Sequence, residues 1–125
     1  MKSNSKILII EDDVALNDAY KTILTTAGYT VSTAFNGEEA LEVAMQHHPD
    51  IIFLDLRMPV MDGIDFLKQY QPKQQHPDVH IVVFSNYDMQ AEVDEAYSLG
   101  AERYVLKAWA SPKELLKIVK DLSWY

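Results

Sequence analysis

The chain has 125 residues, enough to bury one core and too few for two. Its 11 Lys and Arg against 19 Asp and Glu leave a net charge of −8, which repels phosphate backbones and anionic lipid and sets nucleic acid and membrane surfaces aside as direct partners. The absence of cysteine excludes disulfide frameworks, thiolate metal sites and a cysteine nucleophile together, and 48% hydrophobic with 24% charged residues is a globular rather than a disordered balance.

The start, Met1-Lys2-Ser3-Asn4-Ser5, is polar, and no apolar run approaches the roughly 18 residues of a membrane span, so a cytoplasmic single domain over residues 1–125, with its core from about 6 to 122, is expected. The first apolar run, Ile7-Leu8-Ile9-Ile10, reads as a strand and leads into Glu11-Asp12-Asp13. Leu16, Tyr20, Ile23, Leu24 and Ala27 then share one helical face that stops at Gly28, with Asp13 placed as the N-cap. A second strand is expected from Tyr29 to Ala34. A second helix is opened by Asn36 with Glu39 three residues on, carries Ala40, Leu41 and Ala44, and ends before Pro49. Ile51-Ile52-Phe53-Leu54 is the third strand and leads into Asp55. Ile64, Leu67 and Tyr70 mark a short third helix, and Gln71 to Pro77 reads as a polar loop. Ile81-Val82-Val83-Phe84 precedes Ser85; Val93, Ala96 and Tyr97 mark a fourth helix ending at Gly100; and Tyr104-Val105-Leu106 precedes Lys107. The fifth helix has Ser111 as N-cap, Pro112 at its first position, Glu114 in a capping box, and Leu115, Leu116, Val119 and Leu122 on its inner face.

Five alternations of strand and helix, with four of the strands continuously apolar, predict an α/β fold: a parallel sheet covered by helices on both faces. In such folds ligands bind beyond the carboxyl ends of the strands. Glu11, Asp12, Asp55, Ser85 and Lys107 all follow strands and are expected to converge there. Crowded carboxylates repel one another unless a hard cation neutralises them, and an all-oxygen donor set suits Mg²⁺. A lysine and a hydroxyl beside it suit the oxygens of a transferring phosphoryl group, with Asp55 as nucleophile.

The residues Ile7 to Asp13, the string Asp55-Leu56-Arg57-Met58-Pro59-Val60-Met61-Asp62-Gly63, Ser85, Gly100-Ala101 and Tyr104-Val105-Leu106-Lys107 resemble the receiver domains of two-component response regulators, over about Lys6 to Leu122. The resemblance implies a flavodoxin-like, doubly wound five-stranded sheet in the order 2-1-3-4-5 with five helices. It implies that Asp55 accepts a phosphoryl group from a sensor histidine kinase, a phosphotransfer protein or a small donor. Mg²⁺ would be held by Asp12, Asp55 and the backbone carbonyl of Arg57, with Glu11 acting through a bound water. Ser85 and Lys107 would bind the phosphoryl oxygens and Tyr104 would reorient with Ser85. Output to a downstream partner or effector domain would run through the surface of the fourth helix, fifth strand and fifth helix, without turnover of any metabolite.

The chain departs from that family at Ala108, where proline is common after the lysine, and at Asn86, where the family favours Ala or Gly. Arg57 and Tyr87 occupy the positions flanking the phosphoryl group, and neither is a carboxylate or amide that would orient a hydrolytic water, so slow self-dephosphorylation is expected. A haloacid-dehalogenase-like phosphohydrolase would need a second Asp where Arg57 stands, and a flavodoxin would need a phosphate loop where Glu11-Asp12-Asp13 stands. The alternative is a pseudo-receiver, a binding module that keeps the shape without the chemistry. His47 and His48 are read as helix-end cations, His76 and His80 as surface residues without a metal, Met58 and Met61 as loop packing, and Lys113, Lys117 and Lys120 as a solvated face.

Overall fold

The computed structural model describes residues 5–86 and 89–123. Strands β1 (Lys6–Ile10), β2 (Thr30–Ala34), β3 (Ile51–Asp55), β4 (His80–Ser85) and β5 (Ala101–Leu106) are parallel and ordered β2-β1-β3-β4-β5. The connecting helices are α1 (Val14–Thr26), α2 (Gly37–His47), α3 (Gly63–Tyr70) and α4 (Gln90–Ser98), and α5 (Pro112–Leu122) follows the last strand. This is the parallel sheet covered on both faces that the alternating pattern predicts, in the doubly wound, flavodoxin-like order that the resemblance implies.

Side chains alternate across a strand, so each central strand feeds two cores. Leu8 and Ile10 of β1, Ile52 and Leu54 of β3, and Ile81 and Val83 of β4 meet Ala40 and Ala44 of α2, Phe66, Leu67 and Tyr70 of α3, and Ala96 of α4. Ile7, Ile9, Ile51, Phe53, Val82 and Phe84 face the other way, against Tyr20 and Leu24 of α1 and Leu115, Ile118, Val119 and Leu122 of α5. Burial on both faces explains why these strands are apolar without alternation.

Four of the five helices are started by side-chain caps. Asp13, Asn36, Asp62 and Ser111 accept hydrogen bonds from the backbone N–H of Leu16, Glu39, Asp65 and Glu114, at 3.0, 2.8, 2.9 and 3.1 Å. Helix α4 has no such bond and buries a single residue, Ala96. Tyr97, expected on its inner face, is 41% exposed, because a nine-residue helix over an edge strand presents a narrow stripe that Ala96 fills. Ala27, expected at the inner face of α1, is the exposed C-cap.

Two segments differ from the sequence reading. Strand β5 begins three residues before Tyr104, because the register against β4 shifts between Ile81 and Val82 and passes over Glu102, whose carboxylate pairs with His80 Nδ1 at 2.5 Å. The adjacent polar residues Glu102 and Arg103 at the bulge of this edge strand do not read as part of an apolar run. Within the polar segment 71–77, Pro72–Gln75 forms one helical turn with proline at its first position.

Candidate functional site

Strand order reverses between β1 and β3, and the crevice this creates lies at their carboxyl ends. Glu11 follows β1, Asp55 ends β3, Ser85 ends β4 and Lys107 follows β5; together with Asp12, Asp13, Arg57 and Asn86 they line a cavity of about 290 Å³. Residues separated by up to 96 positions are thus gathered by strand ends alone, as expected.

Gly63 allows the loop between β3 and α3 to close beneath the site. Its N–H donates to Leu56 O at 3.0 Å, and a Cβ there would lie 2.5 Å from Asp55 O and 2.8 Å from Leu56 Cα, so no other residue fits without moving the strand end. Upstream in that loop, Met61 N–H donates to Pro59 O and holds Val60 at φ 69, an unfavourable conformation for a β-branched residue. Met58 packs against the core, and Met61 O accepts from Gly37 N–H at 2.8 Å, tying the loop to α2.

Glu11, Asp55 and Ser85 are 2%, 5% and 1% exposed, whereas Asp12 is open to solvent. Lys107 Nζ donates to Glu11 Oε1 at 2.5 Å and to Asp55 Oδ2 at 3.2 Å. Each carboxylate gives its second oxygen to the backbone amide two residues on: Glu11 Oε2 to Asp13 N–H at 3.1 Å and Asp55 Oδ1 to Arg57 N–H at 3.3 Å. One ammonium therefore serves two buried carboxylates.

The proton affinities follow from that imbalance. Burial pushes Glu11 from the ordinary 4.5 up to about 7, with the Asp55 charge adding and the Lys107 hydrogen bond opposing. Burial also raises Asp55, against the pull of Lys107. Burial works against the charged form of Lys107, but its hydrogen bonds and attraction to both carboxylates prevail and its pKa is raised.

Glu11, Asp12 and Asp55 each offer an oxygen, and these atoms lie within 4.8 Å of one another. Such a hard, all-oxygen set carrying more negative charge than Lys107 balances fits Mg²⁺. No other such group occurs among the described residues.

Two contributors were missed by sequence reasoning. Asn17 is buried and its Nδ2 donates to Glu11 O at 3.0 Å and Ala34 O at 3.2 Å, clamping the ends of β1 and β2. Its signal was an amide three residues before Tyr20 and seven before Leu24, on the buried face of α1. Glu92 of α4 is the second: its Oε2 accepts from Arg57 Nη2 at 2.7 Å. The Arg57 side chain is thereby turned toward α4 instead of lying across Asp55.

Of the remaining residues singled out, Tyr104 is half-buried on β5, in register with Val83 and packed on the core beneath α2, α3 and α4. Asn86 lines the cavity; Tyr87 lies outside the described residues. The Lys107–Ala108 bond is trans, and Lys107 opens a 3₁₀ turn, Lys107–Trp109. His47 ends α2 and His48 caps it with φ 48, His76 stacks on Tyr70 at 4.1 Å, and Lys113, Lys117 and Lys120 are exposed on α5.

The response regulator receiver domain family matches residues 7–120. The chemotaxis protein CheY of Thermotoga maritima is 34% identical over 119 residues, covering 94% of this chain and 97% of that protein. A probable transcriptional regulator, ycf27, of Cyanophora paradoxa is 32% identical over 96% of this chain, which spans only 48% of that relative. Among solved structures, a CheY-like receiver domain from Methanospirillum hungatei superposes with a TM-score of 0.87 at 27% identity over 95% of this chain and 93% of its own. Vibrio cholerae CheY4 gives 0.86 at 29% identity, over 95% and 98%. No helix among the described residues is long and apolar enough to cross a membrane. With the family matched along nearly the whole fold and the acidic crevice in place, the chain belongs to the response regulator receiver domains, the signalling modules of two-component systems.

Proposed function

We propose that this receiver, read as a single cytoplasmic domain over residues 1–125, is phosphorylated on Asp55. The observation that carries the reading is the buried Asp55 carboxylate at the sheet's carboxyl edge, bonded to Lys107 and flanked by Glu11 and Asp12. In the transfer, an Asp55 oxygen attacks phosphorus. The new O–P bond forms as the bond to the donor breaks, and the released imidazole of a phosphohistidine, or the carboxylate of a small acyl phosphate, leaves with the bonding electrons. Asp12, Asp55 and the Arg57 carbonyl would hold Mg²⁺, with Glu11 contributing through water. When bound there, Mg²⁺ would supply positive charge to the carboxylates and to the developing charge on the phosphoryl oxygens.

Lys107 supplies a fixed cation at the same oxygens, and the Ser85 hydroxyl binds them from the end of β4. Register places Ser85 beside Leu106 and Val83 beside Tyr104, so a Ser85 shift acts on the strand that carries Tyr104. This supports output through the α4-β5-α5 face toward a protein partner or effector domain, with a sensor kinase or phosphotransfer protein as donor. The domain would turn over no metabolite.

The test is intact mass after incubation with acetyl phosphate and Mg²⁺. One added phosphoryl group in the parent and none in Asp55→Asn is expected; no addition with several donors, or addition retained in the Asn variant, overturns the proposal in favour of a pseudo-receiver.

A further inference from the structure

Arg57 is the one described residue that lines both the acidic cavity and a second cavity of about 440 Å³ between α3 and α4, whose other walls are Leu56, Met58, Asp62, Ile64, Glu92 and Glu95. Its backbone belongs to the first, with the amide 3.3 Å from Asp55 Oδ1. Its guanidinium belongs to the second: Nη2 donates to Glu92 Oε2 at 2.7 Å and lies 3.6 Å from Met89 Sδ. The root of this long side chain is therefore at the phosphoryl pocket while its charged end is on α4.

We propose that Glu92 is a positioning residue that holds the Arg57 guanidinium outside the pocket, and that a phosphoryl group on Asp55 competes with Glu92 for it. The proposal rests on the phosphoacceptor reading. Once Asp55 is phosphorylated, the carboxylates of Glu11 and Asp12 and a dianionic phosphoryl group face one lysine and one divalent cation. One negative charge is left over, and a guanidinium fork is the group best shaped to meet phosphoryl oxygens. Its present partner is a weak competitor, because the pair is 51% and 24% exposed and screened by solvent. Helix α4 is the element to feel the loss. It has no side-chain N-cap and buries only Ala96, and its other described ion pair, Lys68 of α3 with Glu95 at 3.6 Å, is itself exposed. Filling the pocket thus removes one of the few ties on α4. This route runs through the β3–α3 loop and is separate from the Ser85–Tyr104 path.

Competition is reciprocal, so breaking the ion pair must tighten a phosphoryl mimic. The experiment is calorimetric titration of Mg²⁺-loaded protein with beryllofluoride for the parent, Glu92→Gln, Arg57→Gln and the double variant, with amide exchange followed on 90–98. Glu92→Gln is expected to tighten beryllofluoride about twofold to fivefold, and to do so only when Arg57 is present. Beryllofluoride should accelerate α4 exchange in the parent, and Glu92→Gln should show the faster exchange already without it. Glu92→Asp, which keeps the charge on a shorter arm, should fall between parent and Gln. An unchanged or weakened affinity in Glu92→Gln, or an equal gain in the Arg57→Gln background, overturns the proposal while leaving phosphorylation intact. Failure of the parent to bind beryllofluoride sinks the phosphoacceptor reading and this one with it.

Discussion

Without a metal, this domain should become less stable as the pH rises through neutrality. Glu11 is the cause, since its carboxyl is pushed from 4.5 in the unfolded chain to about 7 in the fold, chiefly by burial. Below the unfolded value both states carry the proton and the fold keeps its full stability. Between the two values the folded state holds a proton that the unfolded state has released, so stability falls with each unit of pH. Above about 7 the loss is complete. At 1.36 kcal/mol per unit, the difference between about pH 5 and about pH 8 integrates to roughly 2–3 kcal/mol. Asp55, also raised by burial, adds with the same sign. In a domain of this size about 4 °C accompanies each kcal/mol, so Tm in a chelator should drop by about 10 °C across that interval. Glu11→Gln should flatten most of the slope and melt higher than the parent at the alkaline end. Saturating Mg²⁺ should oppose the trend, because only the deprotonated carboxylates bind it. A metal-free parent whose Tm is flat or rising from pH 5 to 8, or a Glu11→Gln slope equal to the parent's, would refute the reasoning.

Lys107→Met should cost about 3–5 kcal/mol in metal-free protein, since it leaves two buried carboxylates without their shared cation; added Mg²⁺ should recover part of that loss in a denaturant titration, and a variant as stable as the parent would contradict the ion-pair geometry. Asn17→Ala should cost about 1–3 kcal/mol by stripping Glu11 O of its Asn17 donor and leaving Ala34 O with the Glu11 N–H alone, and Mg²⁺ affinity measured by calorimetry should fall with it as Glu11 loses its clamp. Gly63→Ala should cost about 1–3 kcal/mol, because its methyl would press on the backbone of Asp55 and Leu56; a melting temperature within a degree of the parent would show that the loop yields.

The sheet and its order of elements are legible because strands covered on both faces must be apolar throughout, which leaves short, unmistakable runs. The caps at Asp13, Asn36 and Ser111 are legible for a local reason too, as one side chain and one amide three residues on decide them. The acidic site follows from what stands after each run. Lost from view are features set by groups far apart in the chain. The bulge that lengthens β5 depends on register against β4, and the Arg57–Glu92 pair joins residues 35 positions apart. Asn17 was visible as an anomaly in a stripe of apolar residues, yet only the fold shows that it faces two carbonyls at strand ends. A sequence places a residue at the rim of a site; it does not say which way a long side chain leans once there.

The arrangement around Lys107 also explains why the fold tolerates a site that works against it. A single ammonium shared by two buried carboxylates leaves net negative charge in a cavity walled by protein, and burial raises the proton affinity of Glu11 and Asp55 in consequence. The cost of a few kcal/mol is a sizeable part of the 5–15 kcal/mol, roughly, that holds a domain together. Two backbone amides hold the carboxylates in place against repulsion and Asn17 fixes the main chain of Glu11, so the strain appears as unmet charge rather than as disorder. A ligand shifts a conformational equilibrium only by its difference in affinity for the two states. A pocket whose unmet charge a metal would relieve, and whose rim carries an arginine shared with α4, is built so that occupancy and helix position are coupled in free energy. On this reading the instability of the metal-free domain and its proposed capacity to signal are one property, and a variant that makes that form more stable by neutralising Glu11 should respond less to Mg²⁺ and beryllofluoride together.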